Sequence, residues 1–183
     1  MIWLCIVTML LMGCNRHQPM AYRPEPIRHY PLLLPSSYGR PVILEQFLEG
    51  WVNGEHFQLH SQLEIDAQHM LVLGFTPFQT KAFVLRFDGK TVEFENFTDR
   101  RMPFPPELIL SDIQKVLWHA LPNREGWSIV DDPAAKVRLV FFEGQLVNLI
   151  QYQGASPIDG DVRLVDWQYG YELYIRTLHT WGG

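Results

Sequence analysis

From Val42 onward the chain alternates between apolar and polar positions. Phe57, Leu59, Leu63 and Ile65 are separated by Gln58, His60, Gln62 and Glu64, the period of two that sends successive side chains to opposite faces of a strand. After a short Asp66-Ala67 turn, Gln68–Phe75 and Ala82–Phe87 read as further strands. Asp88-Gly89 is a hairpin signal, because both residues tolerate the backbone of a tight turn, and Thr91–Phe97 completes that hairpin. Lys136–Phe142, the turn Glu143-Gly144, Gln145–Gln153, Asp161–Tyr169 and Tyr171–Leu178 continue the rhythm. About nine or ten short strands joined by tight turns predict a single antiparallel meander, with no repeat at solenoid or propeller periods.

One segment breaks the alternation. Between Pro105 and Ala120, Leu108, Ile109, Ile113, Val116, Leu117 and Ala120 fall on one face at helical spacing. Pro105 and Pro106 open it, where a missing amide is harmless, and Leu121-Pro122-Asn123 ends it. The pattern therefore predicts one amphipathic helix laid on the concave face of a curved sheet. Met70–Leu73, Phe83–Leu85, Leu139–Phe142 and Leu146–Ile150 are apolar on both faces, whereas an open sheet with one wet face should alternate cleanly. Two accounts fit: core on one side with helix on the other, or a curved sheet around an apolar hollow that the helix partly plugs.

The beginning of the chain has a different character. Ile2–Met12 is an uncharged apolar run closing with Leu11-Met12-Gly13-Cys14. Eleven residues are too short to cross a hydrocarbon core of roughly 30 Å, and the length suits the apolar part of a secretory signal. Met1-Ile2-Trp3 carries no Lys or Arg, so the usual basic start is reduced to the terminal amine. The ending resembles the lipobox of bacterial lipoproteins, which implies cleavage before Cys14 and lipid on its sulfur and new amine, palmitate among the acyl groups. Residues 1–13 are then signal peptide and residues 14–41 a lipidated, proline-rich tether. Residues 42–183 form one β domain. Tyr30-Pro31-Leu32-Leu33-Leu34-Pro35 is too apolar for a free linker and should lie against the domain or against lipid.

Composition narrows the function classes. The chain has 183 residues, 47% hydrophobic and 13% aromatic, and a formal net charge of −5. That is globular rather than disordered, and no basic cluster offers itself to nucleic acid. Its two cysteines, Cys5 and Cys14, are spent on signal and lipid, so no disulfide is expected in the mature domain. His56 and His60 fall about 13 Å apart along one strand face, too far to share a metal. Asp131-Asp132-Pro133 reads as a turn. No nucleophile elbow or phosphate loop is present, so the expectation is a protein that is not an enzyme and uses no cofactor and no metal.

Leu71–Phe78, Phe87–Lys90, Pro106–Gln114, Trp118 and Tyr169–Ile175, in that order and spacing, resemble an uncharacterised family of bacterial outer-membrane lipoproteins, the domain of unknown function 3261. The resemblance covers roughly Val42 to Leu178. That family is similar in pattern to the outer-membrane lipoprotein receptor LolB and its periplasmic partner LolA, curved antiparallel half-barrels closed by helices around acyl chains. The resemblance implies a mainly β, LolA/LolB-like half-barrel with one or two helices, anchored at the outer membrane and facing the periplasm. It implies binding or transfer of a lipid or acylated ligand, membership of an aryl-polyene or lipid export pathway, and a LolA-like carrier as partner. LolB-like proteins use a protruding apolar residue in transfer; the matching position is Phe78 in the turn Gly74–Gln79. The candidate ligand contacts are accordingly Phe78, Phe75, Leu73, Phe141, Ile113 and Leu117. Asn15, after the lipidated Cys, agrees with outer-membrane sorting as known from enteric bacteria. The alternative is a scaffolding lipoprotein with a fully packed core that binds a partner protein.

Overall fold

The computed structural model describes residues 28–52, 54–99 and 102–182. The expected signal peptide and Cys14 lie outside the described residues. Ten strands, β1 (Val42–Val52), β2 (Glu55–Ile65), β3 (Met70–Phe75), β4 (Lys81–Phe87), β5 (Val92–Asn96), β6 (Trp127–Asp132), β7 (Val137–Phe142), β8 (Gln145–Tyr152), β9 (Asp161–Asp166) and β10 (Tyr171–Trp181), build one sheet, and α1 (Pro106–Leu117) lies between β5 and β6 in the chain. The spatial order is β5-β4-β3-β2-β1-β10-β9-β8-β7-β6, and every pairing is antiparallel. The sheet does not close. It is a curved half-barrel whose two edge strands, β5 and β6, are joined through α1.

The expected mainly β half-barrel with an amphipathic helix is what forms. Pro106 occupies the first turn of α1 with Glu107 beside it, both suited to the positive end of the helix. The Asp88-Gly89 turn is also present, but it spans four residues: Phe87 pairs with Val92, Gly89 sits at φ +91°, and Asp88 Oδ1 accepts from the amides of Lys90 and Thr91 at 2.8 and 2.7 Å. Asp131 and Asp132 are not turn residues. They end strand β6, where the Arg138 guanidinium on β7 holds Asp131 at 2.6 Å and Asp132 Oδ1 accepts from the Ala135 amide at 3.0 Å, so the reversal falls on the residues after them. His56 and His60 each lie beside an aromatic of β1, Trp51 and Phe47, at ring separations of 4.8 and 5.2 Å.

Residues 28–38 form a strap across α1. Tyr30 and Leu33 are buried in the core. Gln114 on α1, itself fully buried, clasps the strap at both ends of one residue: its Oε1 accepts from the Leu33 amide and its Nε2 donates to the Leu33 carbonyl, each at 2.8 Å. Tyr30 donates to the Pro122 carbonyl at 2.6 Å, and Trp118 Nε1 donates to Ser37 Oγ at 2.8 Å. The apolar stretch around Leu33 thus packs on the domain, as its composition required.

The core is graded along the barrel axis. In the antiparallel register the ends of β1, β3, β5, β7 and β9 gather at one end of the sheet. Toward the other end the inward residues Val42, Leu44, Leu63, Ile65 and Met70 are 2% exposed or less. Toward the turns that follow β1 and β3, Leu48, Val52, Phe57, Leu59 and Leu173 are only half-buried. One end is sealed and the other is open.

Candidate functional site

The half-buried end surrounds a cavity of about 120 Å³ between α1 and the concave face. Its walls come from β1 to β4, β9, β10, the loop before α1, and α1 itself through Ile109, Ile113, Val116 and Leu117. No residue of β5 to β8 lines it, so the hollow lies under the neighbouring strands β4-β3-β2-β1-β10-β9 of the sheet. The lining is overwhelmingly apolar; Gln46, Ser61, Asp112 and Tyr171 are its polar points.

Two glycines shape the hollow. A Cβ built on Gly74 would stand 2.3 Å from Phe83 Cε1, and one on Gly50 would stand 2.6 Å from Phe57 Cζ. These rings lie flush on the bare backbone of the neighbouring strand, which leaves space above them that any side chain at 50 or 74 would push them into. The volume resembles the roughly 150 Å³ apolar cavities that stay dry and accept a benzene-sized guest. A long acyl chain therefore needs the walls to part or must emerge through the open end.

Of the residues expected to contact ligand, Ile113 and Leu117 line the cavity. Leu73, Phe75 and Phe141 do not. Leu73 pairs with Gln62 and Phe75 with His60, and Phe141 pairs with Ser128; these are outward positions of their strands, so all three side chains stand on the convex face. The apolar second faces of β3, β4, β7 and β8 are explained there. Leu73 stands beside the buried Val84, and Val130, Leu139, Leu149 and Val165 face one another in a cross-strand row. Phe78 is 88% exposed in the β3–β4 turn at the open end.

Beside the cavity lies a buried polar network that periodicity did not indicate. Lys115, 1% exposed, places Nζ 2.8 Å from Asp112 Oδ1 and donates to Asn148 Oδ1 at 2.7 Å. Asn148 Nδ2 donates in turn to Asp166 Oδ2 at 2.6 Å. Asp166 Oδ1 accepts from the Tyr169 amide at 2.7 Å, and the Tyr171 hydroxyl donates to Asp112. Burial pushes the Asp166 carboxyl above its ordinary value, against the opposing pull of the Lys115 ammonium. Burial, reinforced by Asp112, lifts the Tyr171 phenol well above its usual range. The only advance signal was the Asp112/Lys115 pair, three apart on a helix that is otherwise apolar on that side.

The far end of α1 is finished from β7 and β8. Its last carbonyls lack intrahelical partners, and the buried Arg138 supplies them: Nη1 donates to the carbonyls of Lys115 and Trp118 at 2.6 and 2.8 Å, and Nη2 to that of His119 at 3.2 Å. Tyr152 donates to the Val116 carbonyl at 3.0 Å, and burial raises its phenol pKa to about 12. A cation at a helix C-terminus is also favoured by the helix dipole.

Among the described residues, no helix is long and apolar enough to cross a membrane, and no group of three or more His, Cys, Asp or Glu side chains could hold a metal ion. No curated protein matches the chain. A family model described as "Protein of unknown function (DUF3261)" matches residues 44–179, a span that runs from within β1 to within β10 and takes in every residue lining the cavity, and the chain belongs to that family.

Proposed function

We propose that this domain binds an acyl chain in the hollow beneath α1 and works at a membrane surface, as a LolB-like lipoprotein held at the outer membrane by lipid on Cys14. The observation that carries this reading is the apolar cavity of about 120 Å³ in a sheet that is sealed at one end and open at the other. Each methylene moved from water into it contributes about 0.8 kcal/mol, so even a partly inserted chain is held. Phe78, exposed beside the open end, would meet the bilayer or the incoming ligand, and a LolA-like periplasmic carrier is the corresponding donor. An aryl-polyene or related lipid export pathway is the setting proposed for the ligand.

The test is native mass spectrometry with lipid extraction on protein recovered from a bacterial periplasm, with palmitate offered as probe. A lipid-mass adduct supports the reading; a clean apo mass that palmitate does not change refutes it. Phe78→Glu should slow transfer between vesicles and leave the thermal unfolding curve in place. The modest cavity volume favours a second reading, a scaffolding lipoprotein whose sheet docks a partner protein, and the clean apo mass is the result that reading requires.

A further inference from the structure

Accepting the acyl-binding reading above, on which this inference rests, we infer that the ligand is admitted along the seam between α1 and strands β2 to β4, with the helix staying fixed to β7–β10. The two sides of α1 are attached by different chemistry. Toward β7–β10 the apolar core contacts are joined by polar, directional links: Arg138 on the Lys115 and Trp118 carbonyls, Tyr152 on Val116, Lys115 through Asn148 to Asp166, and Tyr171 on Asp112. Breaking these would strand buried donors, acceptors and a buried ammonium without partners, which is among the costliest changes a core can undergo.

Toward β2–β4 the shared surface is apolar: Ile109, Ile113 and Leu117 of the helix line the cavity together with Leu59, Val72 and Phe83 of this arm. A side-chain hydrogen bond from α1 to this arm is the weak one from Gln114 Nε2 to Met70 Sδ at 3.5 Å. An acyl chain sliding into that seam replaces apolar contacts with apolar contacts and leaves no polar group unpaired. The hollow reaches from β4 across β1 to β9, so this arm supplies part of its wall, whereas β5–β8 contribute nothing to it. The strap adds to the asymmetry, because Leu33 is clasped by Gln114 on the helix and so moves with α1. The moving part is the β2–β4 arm of a sheet that does not close on itself.

Pulsed electron–electron resonance distances on the full chain, with Cys5 and Cys14 replaced by Ser, would decide this. One label pair spans the seam (Glu107→Cys with Gln58→Cys) and one spans the fastened side (Glu107→Cys with Gln151→Cys). With palmitate bound, as read independently by the mass adduct, the seam distance should lengthen while the fastened distance holds. Adding Asn148→Ala should make the fastened distance respond to palmitate as well. Lengthening of the fastened distance alone, or no change in either with the adduct present, overturns the inference while leaving the acyl-binding reading intact. Absence of the adduct refutes that reading, and the inference with it.

Discussion

Replacing Gln114 by Leu tests whether the strap is part of the folded domain. The substitution keeps the side chain's bulk in a fully buried position and removes both hydrogen bonds to Leu33, each 2.8 Å long. The Leu33 amide and carbonyl are then left in the core without partners, at about 1–3 kcal/mol for each group, or roughly 2–6 kcal/mol together. For a domain of this size each kcal/mol lowers the melting temperature by about 2–4 °C, so a fall on the order of 5–25 °C is expected. Circular dichroism during heating measures the fall, and hydrogen exchange of the Leu33 amide reports the loss locally. Leu33→Ala separates packing from hydrogen bonding, since it trims the side chain and keeps the clasp. A melting temperature within about 1 °C of the parent, with Leu33 exchanging at its original rate, would refute the clasp as a stabilising contact.

Three further outcomes follow from the same geometry. Gly74→Ala forces the Phe83 ring off the sheet and into the hollow, so palmitate affinity should fall at least about tenfold, or about 1.4 kcal/mol, with the far-ultraviolet spectrum unchanged; a competent Gly74→Ala protein would dissociate cavity shape from binding. Arg138→Met leaves the carbonyls of Lys115, Trp118 and His119 and the Asp131 carboxylate without their guanidinium and should cost about 3–5 kcal/mol in urea unfolding. For Asp166, the folded carboxyl titrates above the ordinary value of 3.8. Between that value and the raised one the folded state keeps a proton the unfolded chain has released, so this group's contribution to stability declines as pH rises through the window and is flat above it. Asp166→Asn should remove that slope from urea midpoints measured between about pH 4 and 7, and an unchanged slope would place its origin in another group.

The sheet and the helix were legible because each rests on local periodicity: alternation along β2 and a one-sided stripe from Leu108 to Leu117 survive into the structure. The faces were less legible. Where both sides of a strand are apolar, as at Leu71-Val72-Leu73 or Phe141-Phe142, composition carries no label for inward or outward. That label is set by register with partners such as Gln62 and Ser128. Leu73, Phe75 and Phe141 therefore stand on the convex face, while Ile113 and Leu117, fixed by the helical stripe, line the hollow. The Lys115–Asn148–Asp166 chain joins α1 to two strands far along the sequence, a relation only folding reveals. Strand β6 was missed because its polar end is held extended by Arg138, a residue of the next strand.

The strap bears on the mechanics of the proposed lipid anchor. Were lipid carried on Cys14, thirteen residues would separate it from Arg28, whose carbonyl accepts from the Tyr169 hydroxyl at 2.6 Å. Thirteen residues at no more than about 3.6 Å each reach less than about 50 Å even when fully drawn out. The point of attachment also lies at the open end of the half-barrel, near Glu143 in the β7–β8 turn. Under the proposed lipidation, so short a connection fastened beside the mouth would limit how far the mouth could swing away from a lipid surface, and the domain would sample that surface repeatedly without needing strong affinity for it.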